Sequence, residues 1–126
     1  MLYAILIYGA DGVFDRLSEK QQEAILAKHG KLQETMKKRN ALGAVARLME
    51  SNTAVSLRPH GGSVVVTDGP FAESKEHLLG FYLIECATMD EAIEAARLLP
   101  MDTASYEIRP VHWSNQQASD GPDPHA

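Results

Sequence analysis

At 126 residues, 44% hydrophobic and 23% charged, the chain has the size and composition of one soluble globular domain able to bury a core without disulfide staples. Twelve basic residues against seventeen acidic ones give a formal net charge of −5, which argues against a nucleic-acid partner, because a phosphate backbone recruits clustered Lys and Arg. The single cysteine, Cys86, excludes an intramolecular disulfide, and no apolar run approaches the ~20 residues of a membrane-spanning helix.

Met1 leads straight into strand-like sequence, without the charged and apolar regions of a secretory leader, so the cytoplasm is the expected compartment. Leu2–Tyr8 is apolar, β-branched and aromatic, stops at Gly9, and reads as a strand. A polar loop containing Asp11-Gly12 follows. Ser18 and Gln21 have capping-box spacing and open a helix running to about Asn40, with Ile25, Leu32 and Met36 on one face. Lys37, Lys38 and Arg39 close that helix, where positive charge complements the helix dipole.

Gly43–Met49 reads as a second strand, and Ala54–Arg58 and Ser63–Thr67 as the arms of a hairpin around Pro59-His60-Gly61-Gly62. The loop Asp68–His77 leads into the strongest strand, Leu78–Cys86, where Cys86 serves as a small buried hydrophobe. Thr88 and Glu91 form a second capping box, opening a helix that presents Met89, Ala92, Ile93, Ala96 and Leu99 on one face and stops at Pro100. Ser105–Trp113 forms the last strand. The domain thus spans residues 1–113, and the polar, Pro- and Asp-rich 114–126 reads as a flexible tail.

With the hairpin taken as an insertion, the order is βαββαβ, an α+β ferredoxin-like arrangement with an antiparallel sheet and two helices on one face. Leu2–Tyr8 and Leu78–Ile84 are apolar almost throughout, the pattern of strands buried on both faces. Only one layer of helices exists to cover them. A second copy of the chain, packed sheet to sheet about a two-fold axis, is therefore the expected partner.

The most distinctive stretch is Asp68-Gly69-Pro70-Phe71-Ala72-Glu73-Ser74-Lys75-Glu76. By itself Asp-Gly-Pro after a strand is a turn, with the Asp68 carboxylate free to accept backbone amides and Phe71 placed to plug the core beneath. Together with Leu79-Gly80-Phe81-Tyr82-Leu83-Ile84-Glu85, the opening strand, and the close Tyr106-Glu-Ile-Arg-Pro-Val111, it resembles the signature of the DGPF domain proteins, a branch of the YCII-related family. The resemblance covers roughly residues 1–113. It implies a ferredoxin-like fold assembled as a dimeric α/β barrel. It implies little about activity: members often accompany extracytoplasmic-function sigma factors, relatives have a suspected His–Asp site between sheet and helix, and one branch is linked to dehydrochlorination of aromatic rings.

His29 is the residue that fits such a site, since it lies between Ile25 (i−4) and Leu32 (i+3) and so faces the sheet. It is either a quiet core histidine or an acid/base group in a cavity. Gly30 beside it carries a mid-helix cost of ~1 kcal/mol, which a close approach to the helix would explain. Asp68 is the candidate acid partner, with Asp11 and Asp15 as alternatives, and the pair His29–Asp68 is the expected catalytic set. Tyr8, Phe71 and Tyr82 are the candidate substrate-binding residues. Arg47 and Arg109 either hold an anion or pair with surface acids. Glu73, Lys75 and Glu76 read as a solvated loop. No histidine has metal-ligand spacing with another His or Cys, and no glycine-rich phosphate loop follows a strand, so neither metal nor cofactor is expected. Three readings fit. One is a small-molecule binder or enzyme doing proton transfer or elimination. Another is a non-enzymatic partner protein in a sigma-factor-linked pathway, and the third is a purely structural dimer module.

Overall fold

The computed structural model describes residues 1–71 and 74–116. Its elements are β1 (Leu2–Gly9), α1 (Val13–Arg16), α2 (Glu19–Lys38), β2 (Leu42–Arg47), a 3₁₀ turn at Ser51–Thr53, β3 (Val55–His60), β4 (Ser63–Asp68), β5 (His77–Glu85), α3 (Met89–Ala96) and β6 (Ser105–Pro110). Four strands form one antiparallel sheet in the order β2-β5-β1-β6, while β3 and β4, among the described residues, pair only with each other. Without that hairpin the chain is βαββαβ in the ferredoxin-like strand order, so the α+β expectation holds.

The helix starts follow their capping residues. Ser18 Oγ accepts the Gln21 amide at 3.1 Å, and Gln21 Oε1 accepts the Ser18 amide at 3.0 Å, closing a full capping box. At the second helix Thr88 Oγ1 accepts the Glu91 amide at 3.2 Å, but the Glu91 carboxylate reaches one residue further back, to the Ala87 amide at 2.8 Å. α3 ends at Ala96 rather than Leu99, because the next amides turn to i−3 carbonyls: Leu98 bonds Ala95 and Leu99 bonds Ala96. The loop after β1 contains the short α1, which four residues without periodicity could not announce; Gly12 precedes it with φ of 72°.

One hydrophobic core lies between the sheet and the helices. Tyr3, Ile5 and Ile7 of β1 and Tyr82 and Ile84 of β5 meet Leu32 and Met36 of α2 and Ala92, Ala95 and Ala96 of α3. The small alanines let α3 sit close to the sheet. Side chains alternate between faces along a strand, so Ala4, Leu6, Tyr8, Phe81 and Leu83 point to the opposite face. There Leu6 pairs with Phe81 and Ala4 with Leu83, half-buried, with no helix of the described residues over them. The unbroken apolar strands therefore bury one face within the chain and leave the second open.

The hairpin turns through Gly61 and Gly62, both at positive φ (54° and 86°), as a two-residue turn matched to strand twist requires. Every residue of β4 is exposed, and so are Val55 and Leu57 of β3. Beyond it Gly69 has φ of 102°, a conformation suited to glycine, and its amide bonds Ala54 O at 2.7 Å. Phe71 is exposed and does not plug the core. It lies under the Arg58 guanidinium, 4.0 Å from the ring centroid, and Arg58 Nη2 bonds the Phe71 carbonyl at 2.6 Å. Glu73, read as solvated loop, and 117–126 of the expected tail lie outside the described residues.

Candidate functional site

A cavity of about 280 Å³ opens between the sheet, α2 and the loop after β1. Helix phase puts His29 and, one turn on, Gln33 on the sheet-facing side of α2, and both line it. β5 contributes Tyr82. β2 contributes Val45, opposite Tyr82, and Arg47, opposite Gly80. Gly80 is what lets β2 lie so close: a Cβ there would collide with the Ala46 carbonyl oxygen. The loop supplies Asp11 and Phe14, and Leu79 and Tyr106 complete the apolar wall.

The polar groups form a chain. Gln33 Nε2 donates to Tyr82 Oη at 3.2 Å, and Tyr82 Oη lies 2.7 Å from His29 Nδ1, with the two rings stacked at 15°. A tyrosine hydroxyl carries one hydrogen. Among the described residues His29 Nδ1 is the one acceptor in reach of that hydrogen, so we assign the hydroxyl as donor to Nδ1, which puts the proton of the neutral imidazole on Nε2. Among the described residues Nε2 has no hydrogen-bond partner, so it is available to whatever enters the cavity. Burial, assisted by the Arg47 charge, pushes the His29 pKa below the ordinary 6.5, keeping the ring neutral at pH 7. Burial pushes Tyr82 up, partly offset by the Gln33 hydrogen bond, and Tyr106 up to about 12, so both stay phenols. Tyr106 donates its hydroxyl to the Pro100 carbonyl.

The charged groups are arranged unevenly. Asp11 is held by the Ser51 hydroxyl, by the Ser51 amide at 3.2 Å, and by His77 Nε2 at 3.7 Å. The Ser51 hydroxyl and amide hold its carboxyl below the usual range. Arg47 forms no ion pair among the described residues. Its guanidinium sits 4.6 Å from the Phe14 ring centroid.

The structure brings His29 and Tyr82 together, sets Arg47 and the alternative acids Asp11 and Asp15 in the same cavity lining, and leaves Asp68, Tyr8, Phe71 and Arg109 elsewhere. Asp68 stands exposed at the end of β4, outside the cavity, and its carboxylate accepts no hydrogen bond among the described residues. It does not reach His29 in the same chain, because the hairpin that carries it is not part of the main sheet. Tyr8 points to the open face of the sheet, one residue out of phase with Ile7, and Phe71 packs on the hairpin. Arg109, on the open face opposite Ala4, pairs with Glu107. A Cβ on Gly30 meets nothing within 4 Å, so no close approach among the described residues explains that glycine. Gln33 was missed, although its i+4 spacing from His29 is a legible signal. Cys86 is buried, and burial raises its thiol pKa, as a structural cysteine requires. Among the described residues no group of three or more His, Cys, Asp or Glu side chains is placed to hold a metal ion, and no helix is long and apolar enough to cross a membrane.

The ferredoxin-like fold hosts many unrelated activities, so family comparison is what places the chain. The model of the YCII-related domain matches residues 1–114, so the chain belongs to the YCII-related family. It is also similar to an uncharacterized protein of Rhizobium meliloti (strain 1021), 44% identical over an alignment of 114 residues that covers 88% of this chain and 92% of that protein.

Proposed function

We propose that the protein binds a small molecule in the cavity beneath α2, with His29 meeting its polar atom, and that proton transfer or elimination is the reaction class of the site. The observation that carries this is the Gln33–Tyr82–His29 chain, which ends on an imidazole nitrogen with no partner among the described residues, in a largely apolar cavity. The volume lies near the lower end of ligand sites, about 300–1,000 Å³, which suits a compact ligand rather than a nucleotide or long chain. A neutral imidazole donating Nε2–H in a low-dielectric site polarises an oxygen and acidifies the C–H beside it. Asp11, Asp15 and Glu50 are the carboxylates that line the same cavity, so in this reading one of them, rather than Asp68, receives the released proton. The test is an NMR titration of the His29 ring with a panel of compact organic ligands, repeated on His29→Ala. Ligands that move the His29 signals in the wild type and lose affinity in the variant support the reading. A panel that leaves His29 unmoved sinks it.

The open sheet face favours a further element of this reading: a second copy of the chain packs there, giving a dimeric α/β barrel. Leu6, Phe81 and Leu83 form an apolar centre on that face, and a lone two-stranded hairpin such as β3–β4 is marginal in water without a partner surface. Sedimentation equilibrium tests it, with Leu83→Arg expected to shift a dimer to monomers. A wild-type monomer at micromolar concentration would instead leave both surfaces to a different protein, as the non-enzymatic, sigma-factor-linked reading requires.

A further inference from the structure

We infer that the mouth of the cavity is an anion subsite, in which Arg47 and His29 Nε2–H together hold the carboxylate of a compact ligand whose apolar body rests against Phe14, Val45, Leu79 and Tyr106. The inference rests on the small-molecule reading above and adds the chemical class of the ligand.

It begins from the state of Arg47. Asp11, Asp15 and Glu50 line the same cavity, yet none lies within ion-pair distance of Arg47. Each has a reason to leave it free. Asp11 is occupied by Ser51 and His77, while Asp15 and Glu50 stand at the exposed rim, where water screens them. The guanidinium is instead fixed over the Phe14 ring at 4.6 Å, a contact that uses its face and leaves its N–H edge for an acceptor. The register of β2 on β5 then sets its position: Arg47 opposite Gly80, two residues along from Val45 opposite Tyr82. The cation is thereby brought to the wall that carries the His29–Tyr82 pair.

His29 supplies the second donor. With Nδ1 taken by the Tyr82 hydroxyl, its Nε2 presents a hydrogen rather than a lone pair. A guanidinium and an imidazole N–H lining one cavity suit an oxyanion, and planar bidentate pairing makes a carboxylate the matching group. A cationic ligand would meet the Arg47 charge, while of the carboxylates in the lining Asp11 is occupied and Asp15 and Glu50 stand at the exposed rim, where water screens them. A neutral ligand would leave the guanidinium edge without an acceptor.

The test compares benzoate with its neutral isostere benzamide on the full chain, by calorimetry and by NMR of the His29 ring and the Arg47 side chain. Benzoate is expected to bind at least ~10-fold more tightly, since one charge-assisted hydrogen bond contributes about that factor, and to move both sets of signals. Arg47→Met keeps an apolar stem over Phe14 and is expected to abolish the preference; Arg47→Lys restores part of it. Benzamide binding as well as benzoate, or a preference that survives Arg47→Met, overturns the anion subsite while the small-molecule reading stands. Failure of both probes, with His29 unmoved by any ligand of the wider panel, overturns both.

Discussion

Tyr82→Phe isolates the hydroxyl that organises the site. The ring is 2% exposed and packed in the core, so the phenylalanine fills the same space and the change removes only the oxygen. Two hydrogen bonds go with it, one at 2.7 Å to His29 Nδ1 and one at 3.2 Å from Gln33. A net hydrogen bond contributes ~0.5–1.5 kcal/mol, and a fully buried orphan costs ~1–3 kcal/mol. His29 and Gln33 are half-buried and border the cavity, where water can replace part of the loss. The expected destabilisation is therefore about 1–2 kcal/mol, a fall in Tm of about 4 °C per kcal/mol for a domain of this size. The second effect is more specific. The Tyr82 hydroxyl hydrogen bonds the neutral ring, so removing it raises the His29 pKa and releases the proton from Nε2 to share between both nitrogens. Long-range ¹⁵N–¹H correlation of the imidazole reads tautomer and pKa together. A wild-type ring protonated at Nδ1, or a variant with unchanged tautomer and pKa, refutes the assigned hydrogen-bond direction, and with it the donor role given to Nε2.

Further outcomes follow from the same geometry. Gly80→Ala forces a Cβ against the Ala46 carbonyl oxygen, so it should cost at least about 1–3 kcal/mol as an overpacked contact and weaken ligand binding by displacing Arg47; unchanged melting and affinity would deny that close approach. Gly30→Ala lies in an exposed helix interior with open space around its Cβ and should stabilise the fold by up to ~1 kcal/mol, whereas a loss in denaturant titration would mean that something packs there in the assembled protein. Because the folded pKa of His29 is depressed, the unfolded chain binds its proton first. Its contribution to stability is full above the ordinary 6.5 and is lost as pH falls from there through the folded value. His29→Gln should flatten that part of the stability–pH curve, and an unaltered slope would mean that another group causes it.

Much of the architecture is local and so was legible along the chain. Ser18 with Gln21 and Thr88 with its following turn fixed the helix starts, because a cap is decided within four residues. The apolar runs of β1 and β5 located the strands, and the Gly61-Gly62 pair located the hairpin turn. The phase of His29 between Ile25 and Leu32 placed it on the sheet side of α2, because helical spacing alone decides which face a residue takes.

Its partner was another matter. Asp68 follows a turn motif and has the right chemistry, whereas Tyr82 reads in the sequence as one more aromatic packing residue. Pairing decided between them. The hairpin joined only to itself and carried Asp68 away from the cavity, while β5 took the position between β2 and β1 and turned Tyr82 under α2. Strand register converts a shift of one residue into a change of face, which is why Tyr8 left the site and Ile7 entered it. Arg47 joined His29 for the same reason: side chains distant in sequence share a cavity only when nonlocal hydrogen bonds set which strands lie side by side, and no stretch of the chain contains that information by itself.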